Sequence, residues 1–195
     1  MFRQKKTLLK LVGVSLLSSS TFISGMLLTH LSMVPPATAV QFPNGKVAFS
    51  NPPRLINTTV NFNGREVPGG KFYFTLTVPE NAGEPLQAIK IKQSENTETI
   101  EFMVEKSSAF HGGWRSEGAA IPLASIGDSA PAPGEATVVF DQPVMPGSTV
   151  TIALQARRNP LYGGVYLFGV TAFPQGENSR GQFLGFGRLH FYAGS

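Results

Sequence analysis

The chain has 195 residues, among them 16 Lys and Arg, 12 Asp and Glu and no Cys. The lack of cysteine excludes disulfides, and it excludes a thiolate as nucleophile or metal ligand. The formal net charge of +4 arises from four basic residues that all lie within residues 1–39. The rest of the chain is formally neutral, so its composition gives no support for charge-driven nucleic-acid binding.

Residues 1–39 have the pattern of a secretory leader. Arg3, Lys5, Lys6 and Lys10 form a basic segment, the run Leu11–Val34 is mostly apolar, and Ala37-Thr38-Ala39 is a small-x-small cleavage site. A retained signal anchor is the alternative, because an apolar run of about 20 residues can span a bilayer. We expect cleavage after Ala39, no stable membrane span after that cleavage, and a protein that is periplasmic, secreted or in the cell envelope.

The first half of residues 40–195 predicts short strands separated by turns. The Val47–Phe49 segment, flanked by proline, is expected at a sheet edge, and Val60 to Phe62 is expected to run into a turn at Asn63-Gly64. The strongest signal is Lys71 to Val78, where aromatic and β-branched residues alternate with period two. Leu86 to Gln93 alternates in the same way.

The middle of the chain is less regular. Thr97 to Lys106 fits a strand or a helical stripe, and its β-branched content and neighbours favour a strand. Ser107 to Glu135 lacks periodicity and is predicted to be a long loop. Glu135 to Phe140 resumes as a strand.

The C-terminal third predicts three consecutive strands, at about Ser148 to Arg157, Val165 to Phe173 and Phe183 to Tyr192. We expect them to form a meander. The second of them is apolar on both faces, which predicts a central strand buried on both sides. The glycines in this region are interpreted as markers of bulges or of close aromatic neighbours, because no phosphate-loop lysine follows them.

Several short strands, evenly spaced and separated by Gly, Pro and Asn, predict an all-β fold. We expect residues 40–195 to form a single antiparallel β-sandwich domain of immunoglobulin-like architecture. A small β-barrel is the alternative. Asn57-Thr58-Thr59 matches a glycosylation sequon, and we interpret this match as chance in a bacterial protein.

One set of residues carries a resemblance to a known family. It is densest in the C-terminal third, covers most of residues 40–195, and is looser from Ser94 to Gly134. Its members are Tyr73-Phe74, Val78-Pro79, Ala82-Gly83, Pro85-Leu86, Asp141, Pro143-Val144, Pro146-Gly147, Thr149-Val150, Asn159-Pro160, Gly164, Tyr166 to Val170, Ala172, Pro174, Gly176, Gly185, Gly187 to Leu189 and Phe191-Tyr192.

With these residues the chain resembles a family of secreted cyanobacterial proteins known only as a domain of unknown function. The resemblance implies a periplasmic or cell-envelope location in a cyanobacterium. It implies no activity, cofactor or catalytic residue.

Metal-ligating residues are few. After the leader the histidines are His111 and His190, with Met103 and Met145 as soft ligands, and no pair has the spacing of a recurring metal motif. His190 alternates with apolar neighbours and is predicted to be structural. We therefore expect no metal and no cofactor, and a copper-type metal-handling protein is the alternative.

Catalytic motifs are equally sparse. The sequence has no Gly-x-Ser-x-Gly elbow, and Glu98, Glu101 and Glu105 are interleaved with apolar residues as on a solvated face. We predict a non-enzymatic protein without catalytic residues. A hydrolase is a less favoured alternative, because the separation of paired carboxylates is not visible in a sequence.

Two surfaces are candidates for ligand binding. Trp114, the sole tryptophan, lies beside His111 and Arg115 in a glycine-flanked loop, where it could bind a sugar or apolar ligand. The favoured interpretation is that Trp114 caps the end of the core. Tyr162 follows Arg157-Arg158 near the Asn159-Pro160 turn, where one arginine could hold a phosphate or carboxylate.

A solvated hairpin tip is the favoured interpretation of this second surface. The binding candidates are thus His111, Trp114, Arg115 and Tyr162, in an envelope module whose partner is an unidentified envelope polymer or protein.

Overall fold

The computed structural model describes residues 40–41, 45–116, 118–124 and 132–192, and every regular element assigned within them is a strand. The leader expected in residues 1–39 lies outside the described residues. In chain order the strands are β1 (Val40–Gln41), β2 (Val47–Ala48), β3 (Arg54–Val60), β4 (Lys71–Thr77), β5 (Leu86–Gln93), β6 (Phe102–His111), β7 (Ala120–Ile121), β8 (Glu135–Val144), β9 (Thr149–Ala156), β10 (Gly164–Pro174) and β11 (Gln182–Phe191).

These strands form two main sheets. One has the order β11-β10-β5-β8 and the other β3-β4-β9-β6-β7, with antiparallel pairing throughout, while β1 and β2 pair with each other. The set β3-β4-β9-β6 corresponds to A-B-E-D of an immunoglobulin sandwich, and β11-β10-β5 corresponds to G-F-C. The predicted immunoglobulin-like sandwich is therefore confirmed. The barrel alternative is wrong, because the two sheets stay separate.

Aromatic rings hold the two sheets together. The ring centroids of Phe72 and Phe74 on β4 each lie 5.9 Å from that of Phe168 on β10, and Phe72 lies 5.5 Å from Phe191 on β11. All four side chains are almost fully buried. Each contributes about 1.5–3 kcal/mol by leaving water, so the period-two pattern of β4 creates the inner face of a core that needs no disulfide.

The predicted C-terminal meander is wrong. β9 pairs with β4 and β6 in the five-stranded sheet, whereas β10 pairs with β11 and β5 in the other sheet. β9 is buried along both faces, while β10 alternates between buried and partly exposed positions. The prediction that β10 is central in its sheet is confirmed, but its outer face is not covered by a third layer.

The crossover from β9 to β10 is anchored by Asn159, whose side chain is fully buried. Its Nδ2 donates to the carbonyl oxygens of Phe62 and Gly64 at 2.8 and 2.7 Å, and its amide N donates to Val67 O at 2.8 Å. The solvated hairpin tip expected at Asn159-Pro160 is therefore wrong. The segment runs from one sheet to the other and is held by hydrogen bonds of the buried Asn159.

β6 extends five residues into the region predicted as a loop. Its pairing with β9 shifts between Met103 and Ser108, which marks a bulge. Ser107 Oγ bridges this irregularity, because it donates to Met103 O at 3.1 Å and accepts from Gln155 N at 3.2 Å. The extension brings His111 to the end of the sheet. Residues 125–131 of the predicted loop lie outside the described residues.

Two glycines of the C-terminal third have close neighbours, as the sequence predicts. At Gly169 a Cβ would lie 3.2 Å from the ring of Phe183. At Gly187 a Cβ would lie 2.6 Å from Thr58 Oγ1, across the gap between β11 and β3. Glycine at 187 therefore lets the edges of the two sheets approach each other.

Candidate functional site

The structure brings three of the four predicted binding residues together. His111 ends β6, and Trp114 and Arg115 follow in the loop that leads to β7. Tyr162 lies after the other end of β9, since His111 pairs with Val150 near the start of that strand. Tyr162 thus does not belong to the same surface.

A hydrogen-bonded chain fastens this loop to the outer face of the five-stranded sheet. Gly112 N donates to Thr149 O at 2.8 Å, and Thr151 Oγ1 donates to Gly112 O at 2.7 Å. Thr75 Oγ1 lies 2.9 Å from Thr151 Oγ1 and must be the donor to it, because the Thr151 proton is already used. Both threonines are buried. These hydrogen bonds therefore hold Gly112, where the loop begins, at a fixed point on the sheet.

Gly112 is required at this fixed point. Its φ of +91° lies in the left-handed region, which favours glycine. A Cβ there would also lie 2.3 Å from Ser116 Oγ, which donates to Gly113 O at 2.6 Å and closes the turn. The glycine-flanked tryptophan seen in the sequence thus reflects a tight turn against the sheet.

Trp114 lies on the outside of the sandwich and not in its core. Its ring centroid is 6.0 Å from that of Tyr73, with the planes inclined at 43°. Tyr73 faces outward because it alternates with the buried Phe72 and Phe74 on β4. The predicted core cap at the end of the sandwich is therefore wrong, since Trp114 covers a sheet face.

Arg115 completes the arrangement by lying over the Trp114 ring, with its Cζ 4.5 Å from the ring centroid. Such a cation-π contact is worth about 0.5–1 kcal/mol at an exposed site. The guanidinium edge remains available as a hydrogen-bond donor, because stacking occupies only the face of the group. We call Tyr73, Trp114 and Arg115 the Trp114 platform.

The pKa of the Tyr73 phenol is consistent with its position beside the Trp114 ring. Burial raises the pKa of the Tyr73 phenol above its ordinary value, because desolvation disfavours the phenolate. Sequence reasoning did not include Tyr73 in the site. Only the position of the loop reveals its contact with Trp114.

The arginines of the second predicted surface are ion-paired. Arg157 Nε lies 2.8 Å from Glu101 Oε2, and Arg158 Nη2 lies 3.6 Å from Glu98 Oε1. Glu98 Oε2 also accepts from Leu161 N at 2.6 Å and is only 18% exposed. The solvated-face interpretation of Glu98 is therefore wrong, and its carboxylate fixes the crossover.

Tyr162 is half exposed and has a structural contact, because its carbonyl oxygen accepts from Tyr166 Oη at 3.0 Å. His190 is exposed on β11, and its ring has no hydrogen bond to the part of the chain that the structure describes. The structural role expected for His190 is therefore wrong.

Two further observations limit the chemistry of the described ranges. They contain no group of three or more His, Cys, Asp or Glu placed to hold a metal ion. Asn57 Nδ2, the atom of the sequon to which a glycan would be attached, is buried without a hydrogen-bond partner. This burial supports the interpretation of the sequon as chance.

No helix that could cross a bilayer occurs among the residues that the structure describes.

Comparison with known proteins gives one family. A family model described as a protein of unknown function (DUF2808) matches residues 46–191. This match confirms the resemblance to a domain of unknown function, while the cyanobacterial origin stays a prediction. No curated protein matches the sequence.

The chain is also similar to solved structures, of which three are described here. The collagen-binding subdomain of the Enterococcus faecalis surface protein ACE is 8% identical with a TM-score of 0.40, covering 69% of this chain and 93% of that one. The S. aureus collagen adhesin CNA is 8% identical with a TM-score of 0.38, covering 69% and 48%. The C-terminal domain of the Streptococcus pyogenes antigen I/II-family protein AspA is 13% identical with a TM-score of 0.36, covering 69% and 46%. The chain spans less than half of the last two, and likenesses this distant carry no argument about ligands.

Proposed function

Because the chain belongs to the DUF2808 family, whose description states no function, we propose a role from its own surface: a non-enzymatic binding module of the cell envelope. The module is exported by the leader in residues 1–39 and cleaved after Ala39. It holds a polysaccharide of the envelope against the Trp114 platform, and a protein partner at the same surface is the alternative.

The observation that carries this proposal is the position of Trp114. A large aromatic side chain usually stabilises a protein by packing in the core. Here the ring lies on the outer face of a sheet, held by a loop whose first residue is fixed through buried hydroxyl groups. A side chain ordered in advance at a surface loses little conformational entropy when a ligand binds.

The chemistry of the platform suits a sugar. The apolar face of a pyranose packs against aromatic rings, and its hydroxyl groups accept hydrogen bonds. The edge of the stacked Arg115 guanidinium supplies donors beside the ring. His111, exposed at the end of β6, adds a donor or acceptor at the same end of the loop.

The direct test is fluorescence, because Trp114 is the single tryptophan of the chain. Titration with purified envelope polysaccharides should change its emission, and Trp114→Ala should weaken binding by about tenfold or more in calorimetry. Phe183→Ala is the control, since Phe183 is an exposed ring on the other sheet, away from the platform. Binding that leaves both Trp114 emission and the Trp114→Ala affinity unchanged would contradict the proposal.

The location is tested separately by cell fractionation. We expect the cleaved chain, beginning at Val40, outside the inner membrane. Recovery of uncleaved protein in the inner membrane would overturn the proposed export and cleavage. Crosslinking in intact cells distinguishes the two partners, because a polysaccharide-bound module should yield no protein adduct at platform positions.

A further inference from the structure

A cleft lies on the open side of the sandwich, between the edge strands β3 and β11. Gly187 closes one end by its approach to Thr58. The other end is closed where Tyr192 N donates to Asn63 O at 2.9 Å. The volume between is about 320 Å³, within the range of small-ligand sites. We call it the edge cleft.

The lining of the edge cleft is polar and carries an aromatic rim. Tyr192 is 59% exposed, which leaves much of its ring open to solvent. The other lining side chains are neutral polar or aliphatic, apart from one arginine and one histidine. The lining residues are Thr58, Thr59, Val60, Asn61, Asn63, Arg188, Leu189, His190 and Tyr192.

The lining of the edge cleft offers hydrogen-bond donors. Asn61 Oδ1 accepts from both Phe62 N and Lys71 N at 2.9 Å, which fixes the amide and leaves its Nδ2 as a donor. Arg188 has no ion pair with any described residue, although its guanidinium offers five N–H groups. The set of lining residues contains no carboxylate.

We propose that the edge cleft is a second binding site, which takes a uronic acid unit of an acidic polysaccharide through Arg188, Asn61 and Tyr192. The guanidinium of Arg188 binds the carboxylate, in the geometry that makes arginine a good carboxylate ligand. Asn61 Nδ2 donates to a ring hydroxyl, and the Tyr192 ring packs against the apolar face of the sugar. The proposal is independent of the Trp114 platform, which lies on the outer face of the five-stranded sheet.

The test uses the purified protein and an oligogalacturonate of defined length, with the methyl-esterified oligomer as its neutral counterpart. We expect calorimetric binding of the acid, and affinity for the ester weaker by about tenfold or more, because the ester lacks the charge that Arg188 recognises. The amide NMR signals of Asn61 and His190 should shift on titration. Equal affinity for acid and ester would overturn the proposal.

Variants locate the site. Arg188→Gln and Tyr192→Leu should each raise the Kd for the oligogalacturonate about tenfold or more. Arg54→Gln is the matched control, because it removes the same charge from the far end of β3 and should change Kd less than about twofold. Equal effects of Arg188→Gln and Arg54→Gln would show only diffuse charge attraction. All these residues are exposed, and the Tyr192 backbone bond survives substitution.

Two further measurements distinguish this site from its alternatives. Trp114→Ala should leave oligogalacturonate binding to the cleft unchanged, so the platform and the cleft can fail independently. Inorganic phosphate should not compete for the site. Displacement of the sugar by millimolar phosphate would identify a general anion site and overturn the assignment to a uronate.

Discussion

The hydroxyl of Thr75 donates to that of Thr151 across 2.9 Å, although both side chains belong to the outward face of their sheet. Both are nevertheless buried, because the loop that carries Trp114 begins directly above them. Through Gly112, this pair of hydroxyls holds the loop that places Trp114 on the outside of the sheet.

Removing the acceptor of that pair should be costly. Thr151→Val leaves the Thr75 hydroxyl without its acceptor and the Gly112 carbonyl without its donor, both in a buried place. We expect the free energy of unfolding to fall by about 1–3 kcal/mol, measured by urea denaturation. Thr149→Val is the control, because the Thr149 hydroxyl lies 3.2 Å from that of Thr77 at a less buried position. An equal loss in the two variants would contradict the role of the buried chain.

The cover over Tyr73 predicts a change in titration. Trp114→Ala should lower the pKa of the Tyr73 phenol towards its ordinary value, because water regains access to it. Tyrosine ring signals followed by NMR from pH 9 upward would measure this, with Tyr162→Phe as the control that leaves the cover in place. A Tyr73 pKa unchanged by Trp114→Ala would show that the sheet, and not the loop, desolvates the phenol.

The raised pKa of Tyr73 also has a consequence for stability. The neutral phenol is favoured in the folded chain, so this contribution is complete below the ordinary tyrosine pKa. It is lost as the pH rises through the higher folded-state pKa. Tyr73→Phe should therefore show a weaker loss of stability in alkali, and identical alkaline curves would refute this.

The lowered pKa of Glu135 predicts a loss of stability in acid, whereas the raised pKa of Tyr73 predicts one in alkali. Hydrogen bonds from Lys90 and Lys92, at 2.6 and 2.8 Å, lower the pKa of its carboxyl. The stabilisation is present above the ordinary glutamate pKa and lost as the pH falls through the lowered one. Both lysines are more than a third exposed, so we expect a loss of less than about 1 kcal/mol.

Urea denaturation of Glu135→Gln at pH 7 and pH 3 measures this contribution. The variant should be less stable at pH 7, and its deficit should shrink towards pH 3. Glu101→Gln serves as the control, because Glu101 and Arg157 are both mostly exposed and their pair should contribute little. A Glu135→Gln deficit that persists at pH 3 would assign the effect to packing.

Asn159 predicts a large effect at a position outside any ligand site. Asn159→Asp replaces an amide that donates to two backbone carbonyls with a group that repels them. We expect a loss of about 3 kcal/mol at neutral pH, measured by thermal or urea unfolding. Asn96→Asp is the control, since the Asn96 amide donates to Val165 O at an exposed position. Comparable losses in both variants would contradict the anchoring role of Asn159.

The strands could be predicted from the sequence wherever one face is apolar. β4 and β5 follow the period-two pattern closely, because alternate side chains of a strand reach opposite faces. The pairing of β9 could not be predicted in this way. Alternation in β9 predicts a strand but does not say which sheet it joins, and its partners β4 and β6 lie far away in the sequence.

The candidate sites, too, could be predicted from the sequence only in part. The sequence identifies Trp114 and Arg115 as binding candidates, because an aromatic residue in a glycine-flanked loop can present its ring to a ligand. It does not identify Tyr73, which contacts them only because the loop lies across β4. The edge cleft was missed altogether, since β3 and β11 are neighbours through the closure of the sandwich and not through hydrogen bonds.

The approach of Gly187 to Thr58 bears on how this protein behaves at high concentration. Exposed sheet edges are templates on which chains add strands to one another and aggregate. An added strand needs about 4.8 Å of lateral space beside each edge that it joins. Glycine at 187 brings the two edges too close for an intruding strand at this point. The same missing side chain that lets the sandwich close therefore keeps this stretch of both edges from accepting an added strand.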